Sequence, residues 1–230
     1  MISAHTIFWN VDTQADFMLP GGKLYVPDAE KLLPNINRLT DAARNGNVFI
    51  VSDACIHSAD DEEFAQFPPH CLRGTPGADV VPESLAVEVV VIPNREAADL
   101  PANLAYVQQV ILEKQTLDVF DNPNTETVIE RLKSFTDPDA EFAVFGVVTE
   151  YCVRLAAKGL LERGRRVALI RDCIETLDPQ SGRHALDELT GMGARLITTD
   201  EALALVEGSS ARYSANQNNE KLRSAATERH

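Results

Sequence analysis

The chain has 230 residues and a formal net charge of −14, and that charge excludes a phosphate-backbone partner such as a nucleic acid. Hydrophobic residues make up 44% and charged residues 24%, the balance of an ordinary water-facing domain. No apolar run approaches the roughly 20 residues that a bilayer span needs, so no membrane partner is expected.

The length suits one core, expected over residues 1–207, followed by a polar tail at 208–230, mobile or packed in an oligomer. The start, "MISAHTIFWNVD", lacks the basic opening and small-residue cleavage site of a signal peptide, which predicts a cytoplasmic protein. Cys55, Cys71, Cys152 and Cys173 then read as thiols, and their spacing forms no paired zinc motif.

In chain order, "TIFWNVD" predicts a buried strand. "AEKLLPNINRLTDAARNGN" predicts a helix, with Leu32, Ile36, Leu39 and Ala43 at helical spacing and Asp28 as N-cap. Pro34 lies inside that pattern, so the helix is kinked there or begins later. "VFIVSD" reads as a strand and Ala54–Pro82 as a long polar segment. "VEVVVI" and "QQVILEK" are the next strands, "TETVIERLKSF" a helix and "EFAVFGV" a strand. "TEYCVRLAAKGLLERG" is a helix stopped by Gly164, "RVALIRD" a strand, "SGRHALDELTGMG" a helix and "ARLITT" a last strand.

Alternation of strand and helix, with nearly unbroken Val/Ile strands, predicts an α/β fold: a doubly wound parallel sheet in a three-layer α/β/α sandwich. Ligands of such sheets bind beyond the carboxyl ends of the strands. The residues standing there are Asp12, Asp53, Lys114, the Val147–Thr149 turn before Cys152, and Asp172.

Each has a chemical and a plain reading. Cys152 in the first turn of a helix is a nucleophile favoured by the helix dipole, or a small buried hydrophobe. Lys114 at a strand mouth can pair with a carboxylate and a thiolate, or be solvated. Asp12 closes an apolar strand, needs a partner and suits a general base. Asp16 reads as a loop acid that caps backbone amides. Asp53, His57 and His70 are ligand types for one divalent metal ion such as zinc, iron or manganese. No Gly-rich phosphate loop is present.

Four blocks, "NVDTQADFMLPGG", "PPHCLRGTPGAD", "EKQTLDVF" and "GVVTEYCVRLAAKGLLERG", together resemble the cysteine hydrolases of the isochorismatase-like superfamily, especially nicotinamidases and related amidases, over roughly Ile7 to Val206. The resemblance implies a catalytic Asp12, Lys114 and Cys152, and a cis peptide between Val147 and Val148 that turns the Val148 and Cys152 amides into an oxyanion hole. It implies a pocket lined by Phe17, Phe67 and Tyr151, and a dimer or tetramer. The implied reaction is cleavage of a small carboxamide through a thioester, with nicotinamide to nicotinate plus ammonia as the leading case. Metal-free hydrolysis of a vinyl ether, ureido or carbamoyl substrate is the nearer alternative, and a non-catalytic thiol sensor or structural dimer is the more distant one. One departure stands out. Nicotinamidases carry Asp-x-His after the second strand and a histidine in the "PPH" block. Here Asp53 and His70 match, Cys55 occupies the first histidine's place, and His57 comes two residues later.

Overall fold

The computed structural model describes residues 4–96 and 98–207. The tail expected at 208–230 lies outside the described residues. The sheet has seven strands: β1 (Ala4–Val11), β2 (Phe49–Cys55), β3 (Val89–Ile92), β4 (Gln109–Lys114), β5 (Thr136–Gly146), β6 (Arg166–Ile174) and β7 (Arg195–Ile197). Their order is β3-β4-β2-β1-β5-β6-β7, and every pairing is parallel. From β1 at the centre, the chain goes through β2 to the edge strand β3 and back to β4 between them on one side, and then through β5, β6 and β7 on the other. The tips of β1, β2, β4 and β5 therefore share one rim, as the doubly wound reading requires.

The helices are α1 (Ala15–Met18), α2 (Leu33–Arg44), α3 (Thr125–Leu132), α4 (Arg154–Glu162), α5 (Pro179–Gly191) and α6 (Thr199–Glu207). The period-two pleat divides the core between two faces. Ile7, Trp9, Val11, Phe142 and Val144 pack with Val128 and Leu132 of α3, Leu160 of α4 and Leu189 of α5. Phe8, Ala143 and Phe145 point the other way, onto Ile36 and Leu39 of α2 and Ala202 and Val206 of α6. The result is the three-layer sandwich, each face buried by helices.

Local details refine the expectations. Pro34 causes no kink: α2 begins at Leu33, so the proline sits in the first turn, where no backbone donor is lost. Asp28 stands at the N-cap position, but of a 3-10 turn at Ala29–Leu32, in a left-handed conformation, φ 70°, and without a side-chain capping bond. Gly164 does stop α4. With φ 70°, it donates to the Leu161 carbonyl while Arg165 donates to that of Leu160, the double bond of a Schellman motif.

β6 runs two residues past the expected end, which moves Asp172 off the rim. Its carboxylate instead accepts the amide of Thr199 at 2.8 Å and holds the start of α6. The sequence reading missed α6. Its signal is a capping box: Glu201 Oε2 accepts the Thr198 amide, and the Thr198 hydroxyl accepts the Glu201 amide.

Candidate active site

Four elements deliver the site. Asp12 follows β1 in a left-handed conformation, φ 49°, with its amide donating to the Asp53 carbonyl. Cys55 and Lys114 are the last residues of β2 and β4. Cys152 lies in a π-helical turn, Thr149–Val153, that leads into α4. The expected α-helical first turn is thus wider by one residue, and Val153 donates to the Val148 carbonyl five positions back. Such wide turns recur at functional sites because they re-aim one side chain without breaking the helix. The Val147–Val148 peptide just before it is cis, as the resemblance implied. Gly146 lets the chain pass there at φ 118°; a Cβ would sit 2.0 Å from the Val11 carbonyl oxygen.

The three residues far apart in sequence converge on one ammonium. Lys114 is fully buried. Its Nζ donates to Asp12 Oδ2 at 2.8 Å, to Cys55 Sγ at 3.2 Å and to Cys152 Sγ at 3.4 Å, and stands 3.7 Å from Asp53 Oδ1. Burial works against the Lys114 charge, yet the Asp12 carboxylate beside it holds the amine well above its ordinary range, so it stays an ammonium. Two carboxylates face this single cation. Burial, and then the Asp12 charge, push Asp53 up to about 8. The Trp9 indole anchors it at 2.9 Å.

Cys152 is not a resting thiolate. Its hydrogen bond with Cys55, its burial and the Asp12 charge raise it well above the ordinary thiol range, and Lys114 only partly offsets them. The helix dipole alone therefore does not deliver the anion, and a base must take the proton as the sulfur reacts. Asp12 is placed for this, on the same ammonium as the sulfur, with its second oxygen, Oδ1, buried and unpartnered among the described residues.

Cys152 lines a narrow, partly open cleft together with Asp12, Phe17, Phe67, Tyr151 and Leu177. The three expected wall residues thus share the sulfur's cavity. Phe67 meets Tyr151 edge to face at 6.0 Å. Asp16 behaves as the sequence suggested: its carboxylate accepts the amides of Lys23 and Cys71 and ties the loop carrying His70 to the site. Gln14 went unnoticed. Its side chain accepts the Cys55 amide and donates to the Cys55 carbonyl, both at 2.7 Å, and so fixes the end of β2.

The expected metal donors regroup. Asp53 is engaged by Trp9 and faces Lys114. The donor atoms of Cys55, His57 and His70 lie within 4.8 Å of one another, all three residues buried. The Pro68 carbonyl lies 2.8 Å from His70 Nδ1, and Asp61 Oδ2 3.0 Å from His57 Nδ1, which turns both Nε2 atoms away from these oxygens. Burial lowers the His70 pKa, favouring the neutral, ligating form. His57 Nε2 is buried without a hydrogen-bond partner among the described residues. An orphaned imidazole nitrogen beside a thiol and a second imidazole fits a zinc-class ion by both softness and number. Cys55 was legible only as the residue standing where Asp-x-His would place a histidine.

The chain belongs to the isochorismatase family: the sequence model of the isochorismatase domain matches residues 6–94 and 87–201. It is a hydrolase of that family, and the resemblance read from its four blocks is borne out. It is similar to the nicotinamidase of Escherichia coli K12, 24% identical over 211 residues that cover 82% of this chain and 92% of that protein. The nicotinamidase/pyrazinamidase of Mycobacterium tuberculosis is 26% identical over 195 residues, covering 81% and 95%. Among solved structures, the pyrazinamidase of Pyrococcus horikoshii in complex with zinc superposes with a TM-score of 0.66 at 25% identity, covering 84% of this chain and 99% of that one. No helix among the described residues is long and apolar enough to cross a membrane.

Proposed function

We propose that the protein is a cysteine amidase that cleaves the C–N bond of a small carboxamide, with nicotinamide as the leading substrate. The observation that carries this reading is the single buried ammonium of Lys114 in contact with both Asp12 and Cys152. The kinship with nicotinamidases supports the choice of amide.

Asp12 takes the Cys152 proton as the sulfur attacks the carboxamide carbon, and Lys114 stabilises the forming thiolate. The Val148 and Cys152 amides face the oxyanion, an interaction worth about 3–4 kcal/mol per donor. Asp12 passes its proton to the nitrogen, and ammonia leaves a thioester on Cys152. A water then enters, gives a proton to Asp12 and attacks the thioester carbon; the C–S bond breaks, the acid departs, and Asp12 returns its proton to the Cys152 sulfur. The flat walls of Phe17, Phe67 and Tyr151 suit an aromatic amide. Cys55, His57 and His70 would hold a zinc-class ion at the cleft, supplying a Lewis-acid anchor for a ring heteroatom. Four free, buried thiols suit the reducing cytoplasm.

The test is ammonia release from nicotinamide by protein of measured metal content. Steady turnover with about one zinc-class ion per chain is the expected result. Turnover of none of a panel of nicotinamide, pyrazinamide and benzamide would remove the reading.

A further inference from the structure

One thiol beside the nucleophile makes and breaks no bond in the amide reaction. Cys55 is buried at the end of β2, and its thiol shares the Lys114 ammonium with that of Cys152. Both sulfurs accept from that ammonium, at 3.2 and 3.4 Å. A second thiol beside a nucleophilic sulfur, with a shared cation that favours both anions, is the arrangement in which one cysteine can capture the oxidised form of the other. Cys71 and Cys173 are buried as well, but neither touches the Lys114 ammonium.

We propose that Cys55 and Cys152 form a peroxide-modified dithiol site, in which Cys55 traps the oxidised nucleophile as a disulfide. The inference rests on the reading of Cys152 as the cleft's nucleophile. Hydrogen peroxide is small enough to enter the cleft that Cys152 lines. Asp12 takes the thiol proton and the sulfur attacks one peroxide oxygen. The S–O bond forms, the O–O bond breaks, and the departing hydroxide leaves as water with the proton from Asp12. Sulfur has been oxidised to a sulfenic acid and the peroxide reduced. Cys55 then attacks the Cys152 sulfur. The S–S bond forms, the S–OH bond breaks, and the hydroxide leaves as a second water with the Cys55 proton. Two thiols and one peroxide give one disulfide and two waters. The disulfide blocks amide attack, protects Cys152 from irreversible sulfinic oxidation, and returns to two thiols with any dithiol reductant. A zinc ion on Cys55, His57 and His70 would engage the same Cys55 sulfur and slow its capture step.

The experiment treats the purified protein with hydrogen peroxide in the presence and absence of added zinc. It reads the intact mass, maps the peptides without reduction, and assays amide hydrolysis before and after dithiothreitol. The expected wild-type result is a mass loss of two hydrogens, a peptide joining Cys55 to Cys152, and near-complete recovery of activity on reduction. Cys55→Ala should instead gain the oxygens of a sulfinic or sulfonic acid on Cys152 and recover nothing. Wild-type protein that shows no linked peptide and gains oxygen on Cys152 would overturn the proposal, as would Cys55→Ala recovering as fully as wild type. The peptide map decides even where Cys55→Ala fails to fold. It also decides where no amide is hydrolysed, so failure of the amidase reading and failure of this site remain distinct.

Discussion

Cys152→Ala should lower kcat for amide hydrolysis by at least about 10⁴-fold, to the residue of rate that binding and the backbone amides alone supply. The size follows from the chemistry. Without the sulfur no thioester forms, and water must attack an amide directly in a site whose base was placed for a thiol. The fold should survive. Cys152 is 6% exposed and small, and its loss leaves Lys114 still bonded to Asp12 and Cys55, so the stability change stays within about 1–2 kcal/mol. The check pairs steady-state rates with a thermal melt. A folded Cys152→Ala protein that turns over at the wild-type rate would remove the sulfur from the mechanism.

Lys114→Met should damage stability and rate together, which distinguishes it from the cysteine variant. Methionine fills much of the same volume, but it strips a carboxylate that is 1% exposed of its only ion-pair partner among the described residues, where Asp12 Oδ1 already lacks a hydrogen bond. Removing one member of such a buried pair costs about 3–5 kcal/mol. Cys152 loses the ammonium that favours its anion. Activity should fall by roughly 10²–10⁴-fold, and what remains should move to higher pH, where Cys152 again gives up its proton. The check is a pH–rate profile beside a urea melt. An unshifted profile would mean that Lys114 only orients Asp12.

The architecture was legible because its signals are local and repeated. Each predicted strand is a short Val/Ile-rich run between amphipathic stretches, and a parallel sheet buried on both faces needs that pattern. Asp12, Lys114 and Cys152 were legible at the strand ends because topology gathers such ends on one rim, and the four family blocks selected the same residues. What escaped was governed by tertiary contact. Asp172 looked like a rim acid, since nothing in "RVALIRD" says that β6 continues to Ile174 and that α6 starts against its carboxylate. The π-helical turn at Thr149–Val153 has the composition of an ordinary helix start. The regrouping of Cys55 with His57 and His70, and of Asp53 with Trp9 and Lys114, depends on how β2 ends and on the loop that Asp16 tethers through the Cys71 amide. Spacing in the sequence carries none of that.

The central claim is that the Cys152 sulfur becomes covalently attached to the acyl part of the substrate. Rapid acid quenching during turnover of a slow amide, followed by intact and peptide mass measurement, tests this most directly. The account predicts an acyl adduct, carrying the acid half of the amide, on the peptide that contains Cys152 and on no other. Turnover in which Cys152 stays unmodified at every quench time, or in which the adduct maps to Cys55, would contradict it.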